Sequence, residues 1–177
     1  MCRSAHKIRK IHDLNAKAFQ HFYEYHFTEN RKIWDSYIVS LPYEKFIQDE
    51  NYSHGSAREQ IIHLIDVDDV WVSELQGIEP FEPLPSADFD DRENIRTRLD
   101  DVEKKMRNYL AELQDGSLFE KPIKEPEEDK NLIVWQVLLH VVNHGTDHRA
   151  QLLRLLNDLG VKTESQDYIF YVYDHLQ

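Results

Sequence analysis

The sequence predicts an all-α protein, an up-down-up-down four-helix bundle with a short extra C-terminal helix, with residues 1–177 forming one domain. Three observations carry this. Four long segments repeat apolar residues at three- and four-residue steps, the period of a helix with one buried face. Five glycines and six prolines in 177 residues are about half of what ~12% average usage would supply, which disfavours turn-dense β architecture. Apolar residues make up 41% of the chain, enough for one core at this length.

The first helix is expected over roughly residues 10–40, since no Gly or Pro interrupts Ile11–Leu41. Leu14, Ala18, Phe22 and Tyr25 form one apolar row and Ile33, Tyr37 and Leu41 another, with a bend expected near Thr28–Arg31. One short turn follows at Pro42–Phe46. The second helix begins at Ser56, which with Glu59 fits a capping box, and it stops at Gly77 and Pro80. Ile78–Ala87, with three prolines, is a connection. The third helix covers about Asp91–Leu113, with Leu99, Val102, Met106, Tyr109 or Leu110, and Leu113 in its stripe and a solvated acidic face. Phe119–Lys130 reads as a loop or a short hairpin, with Ile123 and Leu132–Val134 as weak strand candidates. The fourth helix spans roughly Leu132–Leu159 before Gly160. Its expected core stripe is Val134, Val137, Val141, His144, His148, Leu152, Leu155 and Leu159. Asp167–His175 forms the last short helix, rich in Tyr and Phe.

Composition removes several classes of function. Thirty-three acidic against 21 basic residues give a net charge of −12, opposed to non-specific nucleic-acid binding and to docking on anionic membranes. The single cysteine, Cys2, excludes an intramolecular disulfide framework and a Cys-rich metal site. The basic N-terminus lacks a following apolar segment, so no secretory signal is expected. Leu132–Val142 is too short to span a bilayer. A cytoplasmic setting follows.

Ten histidines are the compositional outlier. His140, His144 and His148 are spaced by four, so each step turns only ~40° around the helix and the three form a ridge. An i, i+4 imidazole pair can chelate one metal ion. Ten histidines scattered at random would supply roughly half such a pair, so spacing alone leaves two readings open, metal ligands or satisfied core histidines. Gly145, where a zincin protease carries its glutamate base, excludes that class. A mid-helix glycine also permits close approach of a ligand or a packed helix. A third ligand has to come from another helix, and His63, inside the second helix, is the best placed. The expectation is that His63 lies within ~5 Å of His144 and His148. His21 and His26, among polar neighbours, read as surface residues. His6, His12, His54 and His175 lie at ends or in loops and carry no signal.

Three stretches then carry a specific resemblance. They are Gly55-Ser56-Ala57-Arg58-Glu59-Gln60-Ile61-Ile62-His63-Leu64, leading to Trp71 and Leu75-Gln76-Gly77; Leu139-His140-Val141-Val142-Asn143-His144-Gly145-Thr146-Asp147-His148-Arg149-Ala150-Gln151; and Asp167-Tyr168-Ile169-Phe170. In these the chain resembles the DinB/YfiT-like family of metal-binding bundles, named for DNA-damage induction in bacteria and unrelated to the polymerase sharing the name. With the first-helix pattern through Asn30, the similarity covers most of the sequence.

The resemblance implies a four-helix bundle, often a homodimer, holding a divalent metal at His63, His144 and His148. Many relatives have a histidine just before the last ligand, where this chain has Asp147; solvent or the surroundings of the ligands suit that acid better than ligation. His140, Asp147 and Arg149 are candidates for those surroundings. Three imidazoles leave coordination positions open and suit zinc or nickel. Some members transfer low-molecular-weight thiols, such as bacillithiol or mycothiol, to electrophiles, and a related branch isomerises maleylpyruvate. The implied partner is a small-molecule substrate, with such a thiol foremost. A metal-dependent hydrolase, a non-catalytic metal or small-ligand binder, and an interaction bundle with filler histidines are the alternatives.

Overall fold

Asn15 opens the first helix: its side chain accepts the Ala18 N–H at 2.9 Å, satisfying one of the amides a helix start leaves free. The computed structural model describes residues 14–85 and 90–175. α1 (Ala16–Ile33) continues into a π turn at Trp34–Ile38, where the Val39 N–H donates to Trp34 O at 3.1 Å. The distortion thus falls after the expected Thr28–Arg31, at the point where Trp34, Tyr37 and Ile38 all enter the core. The expected start at residues 10–13 lies outside the described residues.

The short α2 (Tyr43–Phe46) plugs one end of the bundle with Phe46. α3 (Ala57–Gln76) begins at the predicted Ser56 cap, whose hydroxyl accepts the Glu59 N–H at 3.2 Å. It ends on Gly77 in the left-handed conformation, φ 64°, which glycine adopts without steric penalty. α4 (Arg92–Glu112), α5 (Val134–Asp158) and α6 (Tyr168–His175) follow. No strand occurs among the described residues. Ile123 is buried within an apolar cluster, and two bonds, Val134 N–H to Glu120 O and Lys121 Nζ to Asn131 Oδ1, both 3.1 Å, join that segment's ends.

α1, α3, α4 and α5 pack as an all-α bundle, and pairwise contacts give their directions. Gln20 reaches Leu110 while Arg31 reaches Glu103, so α1 and α4 are antiparallel. Tyr23 reaches Leu138 while Asn30 reaches Arg149, so α1 and α5 run together. Arg58 reaches Asp91 and Asp69 reaches Lys105, so α3 and α4 also run together. The order is up-down-down-up, whereas strict alternation was expected. The connection over residues 77–91 makes this possible. Extended, a connection of that length reaches ~45 Å, more than the ~30 Å of a 20-residue helix, and its described part, residues 77–85, runs back along the bundle. Phe81 N–H donates to Asp69 on the way, and Pro85 O accepts from Arg58 at the far end. Consequently α3 lies beside α5, not diagonal to it. No helix among the described residues is long and apolar enough to cross a membrane.

The apolar interior falls into two clusters. One is built on Ile33, Trp34, Phe46, Ile61, Ile65, Leu152 and Leu156. The other is built on Phe19, Tyr23, Phe27, Val72, Met106 and Val137. Between them α1, α3 and α5 bury polar groups, His26, Asn30, Asp68 and Arg149. The candidate site borders this polar layer.

Candidate metal centre

Helix period and helix pairing together assemble the site. α5 presents His144 and His148 one turn apart, and antiparallel α3 sets His63 opposite them. The His63 ring centre is 5.1 Å from that of His144 and 4.5 Å from that of His148, and the last two are 4.2 Å apart. A fourth imidazole joins from the loop before α3. His54 stacks on His63 with ring centres 3.7 Å apart and lies 5.3 Å from His148. Each of His54, His63 and His148 offers a ring nitrogen within 4.8 Å of the others.

The α5 histidines do not occupy the core stripe assigned to them. His144 and His148 are half-buried, and the interior row runs Val141, Gly145, Arg149, Leu152 and Leu156. A glycine and an arginine in that row disguised it as a polar face. The result suits ligation better than a core position, since the rings border solvent while their stems pack.

Burial lowers the pKa of His63 and His144 to about 4, with neighbouring imidazoles adding to the effect. His148 is lowered as well, by burial and then by His54. Asp68 and Asp147 oppose the shift at His144. These three rings are therefore neutral at pH 7, the state in which imidazole nitrogen carries a free lone pair for a metal. Among the described residues, His63 Nε2 and His148 Nδ1 are buried without any hydrogen-bond partner. A buried polar nitrogen left unpaired is unfavourable by about 1–3 kcal/mol. Two such atoms in one cluster of neutral imidazoles fit a divalent ion of the zinc or nickel type.

The remaining candidates are arranged around this cluster. His140 is exposed, 5.6 Å from His144 between ring centres and edge-on to Trp71 at 5.2 Å. Asp147 is exposed and accepts from Gln151 Nε2 at 3.1 Å. Arg149 is fully buried and points into the bundle. It donates to Gln166 Oε1 (2.7 Å), Asn30 Oδ1 (2.9 Å) and His26 Nδ1 (3.0 Å). An arginine can only donate, so His26 Nδ1 is the acceptor and Nε2 carries the proton. That proton goes to Asp68 Oδ2 at 2.8 Å.

His26, expected at the surface, is thus fully buried. Its place in the row Phe19, Tyr23, His26, Asn30, Ile33 is the signal that would have found it. Gly145 is what admits it, because a Cβ there would lie 2.7 Å from His26 Nδ1. His54 had no periodic signal at all, since a loop brings it to the cluster.

A groove of about 590 Å³ lies on the opposite side of α5, lined by Phe22, Tyr25, Leu139, Val142, Thr146 and Tyr168 among others. None of the four clustered histidines borders it.

The chain matches the DinB family over residues 1–175. It is 24% identical over 158 residues to Protein DinB of Bacillus subtilis (strain 168), an alignment covering 85% of this chain and 91% of that protein.

Proposed function

The chain belongs to the DinB family, and from that membership and its histidine cluster we propose that it is a divalent-metal-dependent enzyme with ligands His63, His144 and His148, transferring a low-molecular-weight thiol to electrophiles. The observation that supports this most is the pair of buried, unpartnered nitrogens, His63 Nε2 and His148 Nδ1, among neutral rings. Zinc or nickel is the expected ion. Bound there, it would supply Lewis acidity that converts a thiol of pKa ~8.5 to thiolate at neutral pH.

The chain's own residues do the rest. Antiparallel α3 and α5 hold the imidazoles at fixed spacing. Partial burial keeps the rings uncharged and strengthens any electrostatic interaction among them. Trp71 and His140 form an aromatic wall beside His144. Asp68, fixed by His26, places a negative charge behind the cluster that favours a cation in it. Neither Asp147 nor Arg149 is required to touch substrate.

Bacillithiol, mycothiol, glutathione and cysteine, each offered with a chromogenic electrophile, test the reading. Metal-dependent acceleration by one thiol, abolished in His144→Ala, is the expected result. Fully metallated protein inert with all four would favour a metal- or ligand-binding bundle instead. A homodimer, in a cytoplasmic setting, belongs to the same reading. Its support is α6, which leaves Ile169, Phe170 and Tyr173 exposed, an apolar patch of the kind that marks interfaces.

A further inference from the structure

His54 is the one clustered histidine that no helix carries. The loop holding it takes an unusual path: Asn51 (φ 49°), Ser53 (φ 52°) and Gly55 (φ 85°) are all left-handed, a conformation uncommon for residues other than glycine. Specific bonds maintain it. Asn51 N–H donates to Asp49 Oδ1 at 2.8 Å, and Gly55 N–H to Tyr52 O at 2.9 Å. Ser53 Oγ donates to Gln151 Oε1 on α5, one turn beyond Asp147. The path places His54 against His63 and His148, with one nitrogen from each within 4.8 Å of the others.

We propose that His54 is a fourth, exchangeable imidazole ligand of the ion held by His63, His144 and His148. This rests on the three-histidine reading above and extends it. Two nitrogens of the cluster, His63 Nε2 and His148 Nδ1, lack any hydrogen-bond partner among the described residues. Ligands of one tetrahedral zinc ion sit ~3.3 Å apart, so small ring rotations close the set. Imidazole lone pairs lie in the ring plane, so the stacked His54 and His63 share an ion only after one of them turns. His54 is exposed and is the ring with room to do so.

Exchangeability follows from the same exposure. Residues 51–54 are all exposed, and no apolar contact of the core holds them. Four imidazoles close the sphere of a tetrahedral ion, whereas three leave a position for a substrate. A thiolate or another anionic ligand would replace His54, not a helix-borne histidine.

Zinc and cobalt(II) titrations of chelator-treated, full-length protein test this, with circular dichroism confirming that each variant is folded. His54→Ala and His54→Gln should each still take up one ion per chain, about tenfold or more weakly than wild type. Their cobalt visible bands should shift as water replaces a nitrogen. His21→Ala, an exposed histidine outside the cluster, should match wild type, and His144→Ala should lose binding. With 2-mercaptoethanol as probe, the thiolate–cobalt band should appear at lower thiol concentration in His54→Ala than in wild type. His54 variants with wild-type affinity and spectrum would overturn the proposal and leave the three-histidine site standing. Complete loss of metal in both His54 variants would overturn exchangeability. Wild type that takes up neither ion would overturn the underlying reading as well.

Discussion

Gly145 stands in the buried row of α5 because His26 fills the space a side chain would need. The His26 ring cannot easily retreat, held as it is between Asp68 and Arg149. Gly145→Ala should therefore destabilise the protein by about 1–3 kcal/mol, as overpacking does, although alanine is the better helix former. Urea unfolding would measure it, and a stabilised variant would show that the ring has room. Arg149→Ala leaves His26, Asn30 and Gln166 without their donor and should destabilise the protein by about 1–3 kcal/mol for each buried acceptor left unpaired, while zinc stoichiometry stays unchanged. Loss of zinc in a folded Arg149 variant would place that residue in the site.

His63 and His144 give a pH dependence of known sign. Their folded pKa values of about 4 lie below the usual 6.5, so between those limits the unfolded chain binds more protons. Melting of the metal-free protein should fall as pH drops from about 6.5 to about 4, and His63→Ala should flatten that slope. At this scale the i, i+4 ridge and the His63 position were legible, because helical period is written in the sequence. The polar layer was not: a Gly–Arg pair in a buried row looks like surface until α1 supplies its partners.

Helix ends were the most legible elements. Ser56, Gly77 and the limits of α4 fall within a residue or two of their expected positions, since capping chemistry is local. Ser56→Ala should lower stability by about 1 kcal/mol, read in the thermal midpoint; no change would mean another group caps α3. The sense of the helices was not legible. Residues 77–91 are long enough for either a local turn or a return along the bundle. What selects the return is tertiary, the anchoring of that segment by Arg58 and Asp69. The difference matters for the site, because it makes α3 and α5 direct neighbours and brings His63 to His144 and His148 without spanning the core. His54 belongs to this scale too, a residue positioned by a loop and invisible to any periodicity.

For the whole molecule, a helical bundle carries a half-buried imidazole cluster on one side of α5 and an aromatic terminal helix near the other. Light scattering should find a dimer, and replacing exposed Phe170 and Tyr173 by serine should give a monomer that still binds metal. A wild-type monomer at high concentration would contradict the dimer and leave the site untouched. The proposed chemistry depends on a divalent ion held by His63, His144 and His148. Isothermal titration of zinc into chelator-treated protein at pH 7 tests it most directly. Wild type and His140→Ala should each bind one ion per chain, and His63→Ala, His144→Ala and His148→Ala none. Wild type that binds no zinc or nickel, or equal loss in all four variants, would contradict it.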